Sequence, residues 1–319
     1  MIKKLVILVF LLILLSCQSS KKEVKMSYIT LDFDRMWNYN DPASTELKFQ
    51  TLLDSIITTD ADYDKSYHLQ LLTQLARTKG LQSKFDEGHE LLDQVEDLLV
   101  DDLKTARMRY LLERGRLYNS AGKKEKARPL FLQAWQLGTK SNLDLYSLDA
   151  AHMMGIVEPI DQQLSWNLKA LELARNSKDK RTSNWLGPLY NNIGWTYHDQ
   201  AKYNKALEMF QQDLAWRNEI GDENGARISS WSVARAQRSL GNINEALKIQ
   251  LELEKEVDQL NLPKDGYVYE ELGEIYLLKD QPDLSGHYFK LAYEILSQDK
   301  WLQSNEPDRL QRISELSSQ

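Results

Sequence analysis

The chain has 319 residues, 42% of them hydrophobic and 27% charged, with a formal net charge of −7 at pH 7. That acidic balance argues against nucleic acid as a partner and against broad contact with anionic membrane surfaces, which basic patches normally supply. A single cysteine excludes an intramolecular disulfide, a cysteine-based zinc site and a redox pair, so stability has to come from packing.

Met1, Ile2, Lys3 and Lys4 precede an apolar run from Leu5 to Leu15, and residues 1–16 read as a secretory signal. The run falls short of the roughly 18 to 20 residues that a bilayer-crossing helix needs. It closes on Leu14, Leu15, Ser16 and Cys17, which resembles the bacterial lipobox. The resemblance implies that Cys17 is lipidated and becomes the mature N-terminus. Each acyl chain would then contribute about 0.8 kcal/mol per buried methylene. It also implies a chain anchored at the bacterial cell envelope only through that lipid, with the folded part in the periplasm or outside the cell. Residues 17–27, including Gln18 to Met26, read as a polar tether. Loss of Lys3 and Lys4 with the signal takes the formal charge from −7 to −9.

From Tyr28 onward Gly and Pro are scarce and apolar residues recur at intervals of three and four, so the rest of the chain is expected to be all-helical. Residues 28–60 read as one or two capping helices, with Asp41-Pro42 as a helix start. Residues 61–300 then carry an internal repeat. Its degenerate copies lie around Leu72, Ala76, Gly80, Phe85, Gly88 and Leu92, and around Ala150, Ala151, Met154, Ala170 and Leu173. Closer copies are Leu111, Gly115, Tyr118, Ala127 and Phe131, then Tyr190, Ile193, Gly194, Tyr197, Ala206 and Phe210, then Tyr269, Leu272, Gly273, Tyr276, Ser285 and Phe289. Ser230, Val233, Ala234 and Ala246 form a weaker one.

Gly115, Gly194, Ala234 and Gly273 each precede a second small residue by twelve positions, at Ala127, Ala206, Ala246 and Ser285. Two small residues let paired helices approach closely, while bulky residues between them fill the gap to the next pair. Unit starts near positions 108, 144, 187, 227 and 266 are wider apart than the 34 residues of the plain helix-turn-helix repeat, which predicts second helices about a turn longer. Gly122, Gly221-Asp222, Gly241-Asn242 and Pro263 to Gly266 fall where helices should stop. Beyond Trp301, residues 301–319 read as a fraying polar tail.

These residues resemble tetratricopeptide repeats (TPR), of the variety with a GD-x-x-G turn, here Gly221, Asp222 and Gly225. The stretches Trp37 to Pro42, Leu75 to Asp93 and Tyr190 to Gln200 are also similar to a group of bacterial TPR proteins, a likeness that sharpens the fold and not the function. The resemblance implies an α-solenoid of about six antiparallel helix pairs wound into a right-handed superhelix.

The usual catalytic constellations are absent from the sequence: no GxSxG, P-loop, GxGxxG, HExxH or EF-hand loop occurs. His68, His89, His152, His198 and His287 are scattered. Neither a metal, a cofactor nor an enzymatic activity is therefore expected. In a TPR array the first helix of each pair lines a concave groove through roughly its second, fifth, ninth and twelfth positions. That mapping places Asn191, Trp195 and His198 on one face and Trp231, Arg235 and Arg238 on the next, with Asn192 beside them.

Aromatic and Arg residues dominate binding hot spots, and Arg suits a two-pronged grip on a carboxylate. The expected ligand is therefore a protein or peptide with an acidic segment or free C-terminus, held by an envelope scaffold. The alternative is a receptor for a solute or glycan. A plainer reading of the same side chains is also open: the two tryptophans pack between repeats, and Arg235 and Arg238 pair with acids such as Glu270 and Glu274. Trp185, Trp216 and Arg217 read as packing residues. The sequence leaves the oligomeric state open.

Overall fold

The structure, a computed structural model, describes residues 31–56 and 63–318. The signal, Cys17 and the tether lie outside the described residues. Those described form helices and turns, with no strand among them.

A 3-10 turn (Phe33–Met36) and α1 (Pro42–Asp54) open the fold. Asp41 caps α1 by accepting from the Ser44 N–H at 3.0 Å, while Pro42 takes a position whose missing N–H costs nothing. Six antiparallel pairs follow: α2 (Lys65–Leu81) with α3 (Phe85–Leu98), α4 (Lys104–Ser120) with α5 (Lys124–Ser141), α6 (Asp144–Val157) with α7 (Ile160–Asn176), α8 (Leu186–Asp199) with α9 (Tyr203–Ile220), α10 (Glu223–Ser239) with α11 (Ile243–Gln259), and α12 (Gly266–Leu278) with α13 (Pro282–Leu296). Each pair packs on the next, so the core runs along the array. Leu69 to Met209 form one continuous buried cluster, followed by smaller clusters around Phe210 and Phe289.

Gly221 shows how one pair hands over to the next. It ends α9 at φ 74°, a left-handed conformation that suits a residue without Cβ. Asp222 then caps α10 by accepting from the Gly225 N–H at 2.9 Å, and Arg217 holds the same carboxylate at 2.6 Å.

The extra length of the repeats is shared between helices and connections. Helices α5, α7, α9 and α11 run to 17 or 18 residues. A 3-10 turn (Lys180–Trp185) occupies the connection before α8, and an extended segment precedes α12. The region after Trp301 differs from expectation. It forms α14 (Lys300–Asn305) and α15 (Pro307–Leu316), and Leu302, Leu310 and Ile313 are buried against the last pair. A short amphipathic helix with few apolar residues reads as polar tail when its docking surface is out of view.

Candidate functional site

The first helices of the pairs lie side by side and present one face to the concavity. On its later half, the two indoles singled out in the sequence meet: Trp195 of α8 and Trp231 of α10 lie 5.8 Å apart at 38°. Trp195 also rests on Phe210 at 5.1 Å and on His198 at 5.2 Å. Trp231 donates its indole N–H to the Tyr267 carbonyl at 3.0 Å. Both rings are half-buried and each touches the neighbouring repeat. Asn191 is half-buried on the same helix, whereas Asn192 is exposed.

Arg235 and Arg238 converge on one carboxylate of the next unit. Arg238 holds Glu271 in two-pronged fashion, at 2.7 and 2.8 Å, and Arg235 Nε reaches the same carboxylate at 3.0 Å. Glu270 and Glu274, the partners anticipated by the plainer reading, are taken by Arg309 and Arg312 of α15 instead. Arg235 also donates to the Ser239 hydroxyl at 3.1 Å. Burial lowers its pKa, Glu271 opposes that, and Arg238 adds to it. His198 Nε2 lies 2.9 Å from Ser239 Oγ, and burial first, then Arg235, lowers its pKa.

The earlier half of the groove holds a cavity of about 510 Å³ over α2, α4 and α6. Its floor includes Gln74, Arg77, Arg109, Tyr146 and Asp149. One wall is residues 32–39, which reach over the first helices: Asp34 pairs with Arg109, and the Trp37 indole donates to Gln74 at 3.1 Å. The other wall is the 3-10 turn before α8, with Arg181, Asn184 and Trp185. Beneath the floor, Arg116 joins Glu113 to Asp149.

Sequence reasoning missed this cavity because Trp185 stands at a helix end, where it reads as packing, and because the wall residues lie outside the repeat pattern. The signal that could have found it is the unusually long spacing between the third and fourth units. Trp216 and Arg217 do pack as expected: the Trp216 ring closes on Gly187, and Arg217 pairs with Asp213 and Asp222. Among the described residues no group of His, Cys, Asp and Glu is placed to hold a metal ion.

Residues 189–220 match the family model described as tetratricopeptide repeat. No curated protein matches the chain. Among solved structures, the chain is similar to a signal transduction ATPase with numerous domains that carries a tetratricopeptide repeat sensor, from Pyrococcus horikoshii, at 15% identity and a TM-score of 0.67. That match covers 88% of this chain and 46% of that one, so the chain spans less than half of that protein's length. It is also similar to the apo form of RapI, at 12% identity and TM-score 0.64 over 82% of this chain and 76% of that one. The C-terminal part of a TPR repeat-containing protein from Cytophaga hutchinsonii aligns at 15% identity and TM-score 0.51, covering 85% and 97%. At these identities the likeness is one of fold.

Proposed function

We propose, from the premise that this chain is a tetratricopeptide-repeat protein, that it is a scaffold holding a partner protein or peptide along its concave face. The fold supports an interaction role, and repeats of this kind are generally non-catalytic. The finer reading is that Trp195, Trp231, Arg235 and Arg238 receive an acidic segment or a C-terminal carboxylate. The observation that carries it is the grip of Arg235 and Arg238 on Glu271: two guanidiniums share one carboxylate beside an indole pair. A carboxylate supplied by the partner would add to, and compete with, the contacts that Arg235 makes with Glu271 and the Ser239 hydroxyl. We also propose that lipid on Cys17 tethers the scaffold to the bacterial envelope.

The test is affinity capture from detergent-solubilised envelopes with the intact chain and a Trp195→Ala, Arg235→Ala double variant of unchanged helicity. A partner lost only from the double variant, and released by salt from the parent, supports the assignment. Identical capture by both would move the binding surface elsewhere.

A further inference from the structure

The cavity over α2, α4 and α6 has a construction that the stacking of repeats does not demand. Two residues, Gly221 and Asp222, suffice to join α9 to α10, whereas residues 177–185 join α7 to α8 and deliver Asn184 and Trp185 to the cavity wall. Insertions in repeat arrays gather on the binding face. The volume of about 510 Å³ falls within the range of roughly 300 to 1,000 Å³ typical of small-ligand sites.

Its lining is polar but internally neutralised. Arg77, Arg109 and Arg181 meet Glu113, Asp34 and Asp179, and Asp149 meets Arg116. An ionic ligand would have to compete with these pairs and lose its own hydration. The pairs nevertheless set guanidinium donors and carboxylate acceptors side by side. A hydroxyl both donates and accepts, and a sugar carries several hydroxyls in fixed relation.

The rings complete the pattern. Tyr39 lies flat on Trp37, 4.8 Å away at 3°, and is still 57% exposed. Trp185, half-buried, is braced by His152 at 5.2 Å. Flat aromatic faces accept the C–H face of a pyranose.

We propose that this cavity binds a neutral oligosaccharide, at a site separate from the partner-binding face of Trp195 and Arg235. Tyr39 and Trp185 supply the stacking surfaces, and Asn184 with the ion pairs supplies the hydrogen bonds.

The experiment is calorimetric titration of the full chain in detergent with neutral oligosaccharides built from glucose, galactose, mannose, xylose or N-acetylglucosamine. Tyr39→Ala and Asn184→Ala variants run in parallel, both at exposed positions and both checked by melting curves. At least one saccharide is expected to bind saturably, with no loss at high salt and with affinity weakened at least about tenfold by Tyr39→Ala. Absence of binding up to tens of millimolar overturns the proposal, as does equal binding by both variants. Salt-sensitive occupation of the cavity by an acidic peptide also overturns it. The Trp195→Ala, Arg235→Ala variant is expected to bind the saccharide normally, so this site and the partner-binding face stand or fall separately.

Discussion

A methyl group placed on Gly115 would come within 2.5 Å of the Phe131 ring, so the glycine's missing side chain is the space the ring occupies. The same spacing of sixteen residues pairs Gly194 with Phe210 and Gly273 with Phe289. Where alanine replaces glycine, at Ala76, Ala151 and Ala234, the residue sixteen on is Leu92, Asn167 or Gln250, and no phenylalanine follows. The volumes at the two positions are complementary within each hairpin. Gly115→Ala is expected to overpack the pair and cost about 1 to 3 kcal/mol. Urea unfolding monitored by circular dichroism reads the loss, and Gly115→Ala combined with Phe131→Leu should recover much of it. An unchanged midpoint in Gly115→Ala would show that the ring is free to move aside.

Gln250 occupies the phenylalanine position of the fifth pair, fully buried, and neither its amide oxygen nor its amide nitrogen has a partner among the described residues. A buried polar atom left unpaired costs about 1 to 3 kcal/mol. Gln250→Leu keeps the size and removes the polar atoms, so the variant should melt at higher temperature than the parent. Gln250→Phe should not, because Ala234 already holds the space a ring would need. A lower melting temperature for Gln250→Leu would mean that water satisfies the amide.

The repeat itself was legible in the sequence because it is written in volume: Gly and Ala alternate with Phe and Leu at fixed offsets, and a fixed offset survives without any view of the neighbours. Trp195 and Trp231 could be placed on one face by helical period alone. The acid that answers Arg235 and Arg238 was harder to choose. Glu270, Glu271 and Glu274 all lie within one turn of α12, and the roll between units decides which of them faces which arginine. The cavity beside Trp185 was illegible for another reason: it is assembled from residues 32–39 and an insertion, neither of which repeats.

Cys17 is expected to carry the membrane attachment. Among the described residues no helix is long and apolar enough to cross a membrane. Cys17→Ser should therefore move the chain from the membrane pellet to the soluble fraction, or leave an unprocessed precursor of higher mass. A processed Cys17→Ser chain that still sediments with membranes would remove the lipid from the account.

Helix α15 closes the array as a cap. Its Arg309 holds Glu270 with two hydrogen bonds at 2.8 and 2.6 Å, while Leu310 and Ile313 cover the last pair. An uncapped solenoid end exposes the apolar face that the next repeat would have covered. Ile313→Ala should cost about 2 to 5 kcal/mol, as for other buried aliphatic truncations. Deleting residues 306–319 should lower the melting temperature further and promote association, visible as a shift in light scattering. A deletion variant that melts like the parent would show that the sixth pair needs no cover.

His68, His89, His152 and His198 make stability pH-dependent in one direction. Burial lowers the pKa of His152 below the ordinary histidine value of 6.5, with nearby Asp149 opposing the shift and Arg116 adding to it. Burial also leads the downward shifts of His68, His89 and His198. A histidine whose folded-state pKa is depressed keeps its full contribution above the unfolded value. As pH falls through that value the unfolded chain takes up protons first, and the fold loses stability until the folded-state pKa is passed. The depressed pKa of Asp149 adds a loss only near and below its ordinary value of 3.8, outside this window. Melting temperature should therefore decline as the buffer is taken from about pH 7.5 to about pH 5.5, and His152→Gln should flatten part of that decline. The sign is opposite to that of a histidine stabilised as a cation by an acidic neighbour, whose stability would rise on acidification. A melting temperature that climbs over this range, or a decline identical in His152→Gln, would show that burial does not keep His152 neutral in the fold.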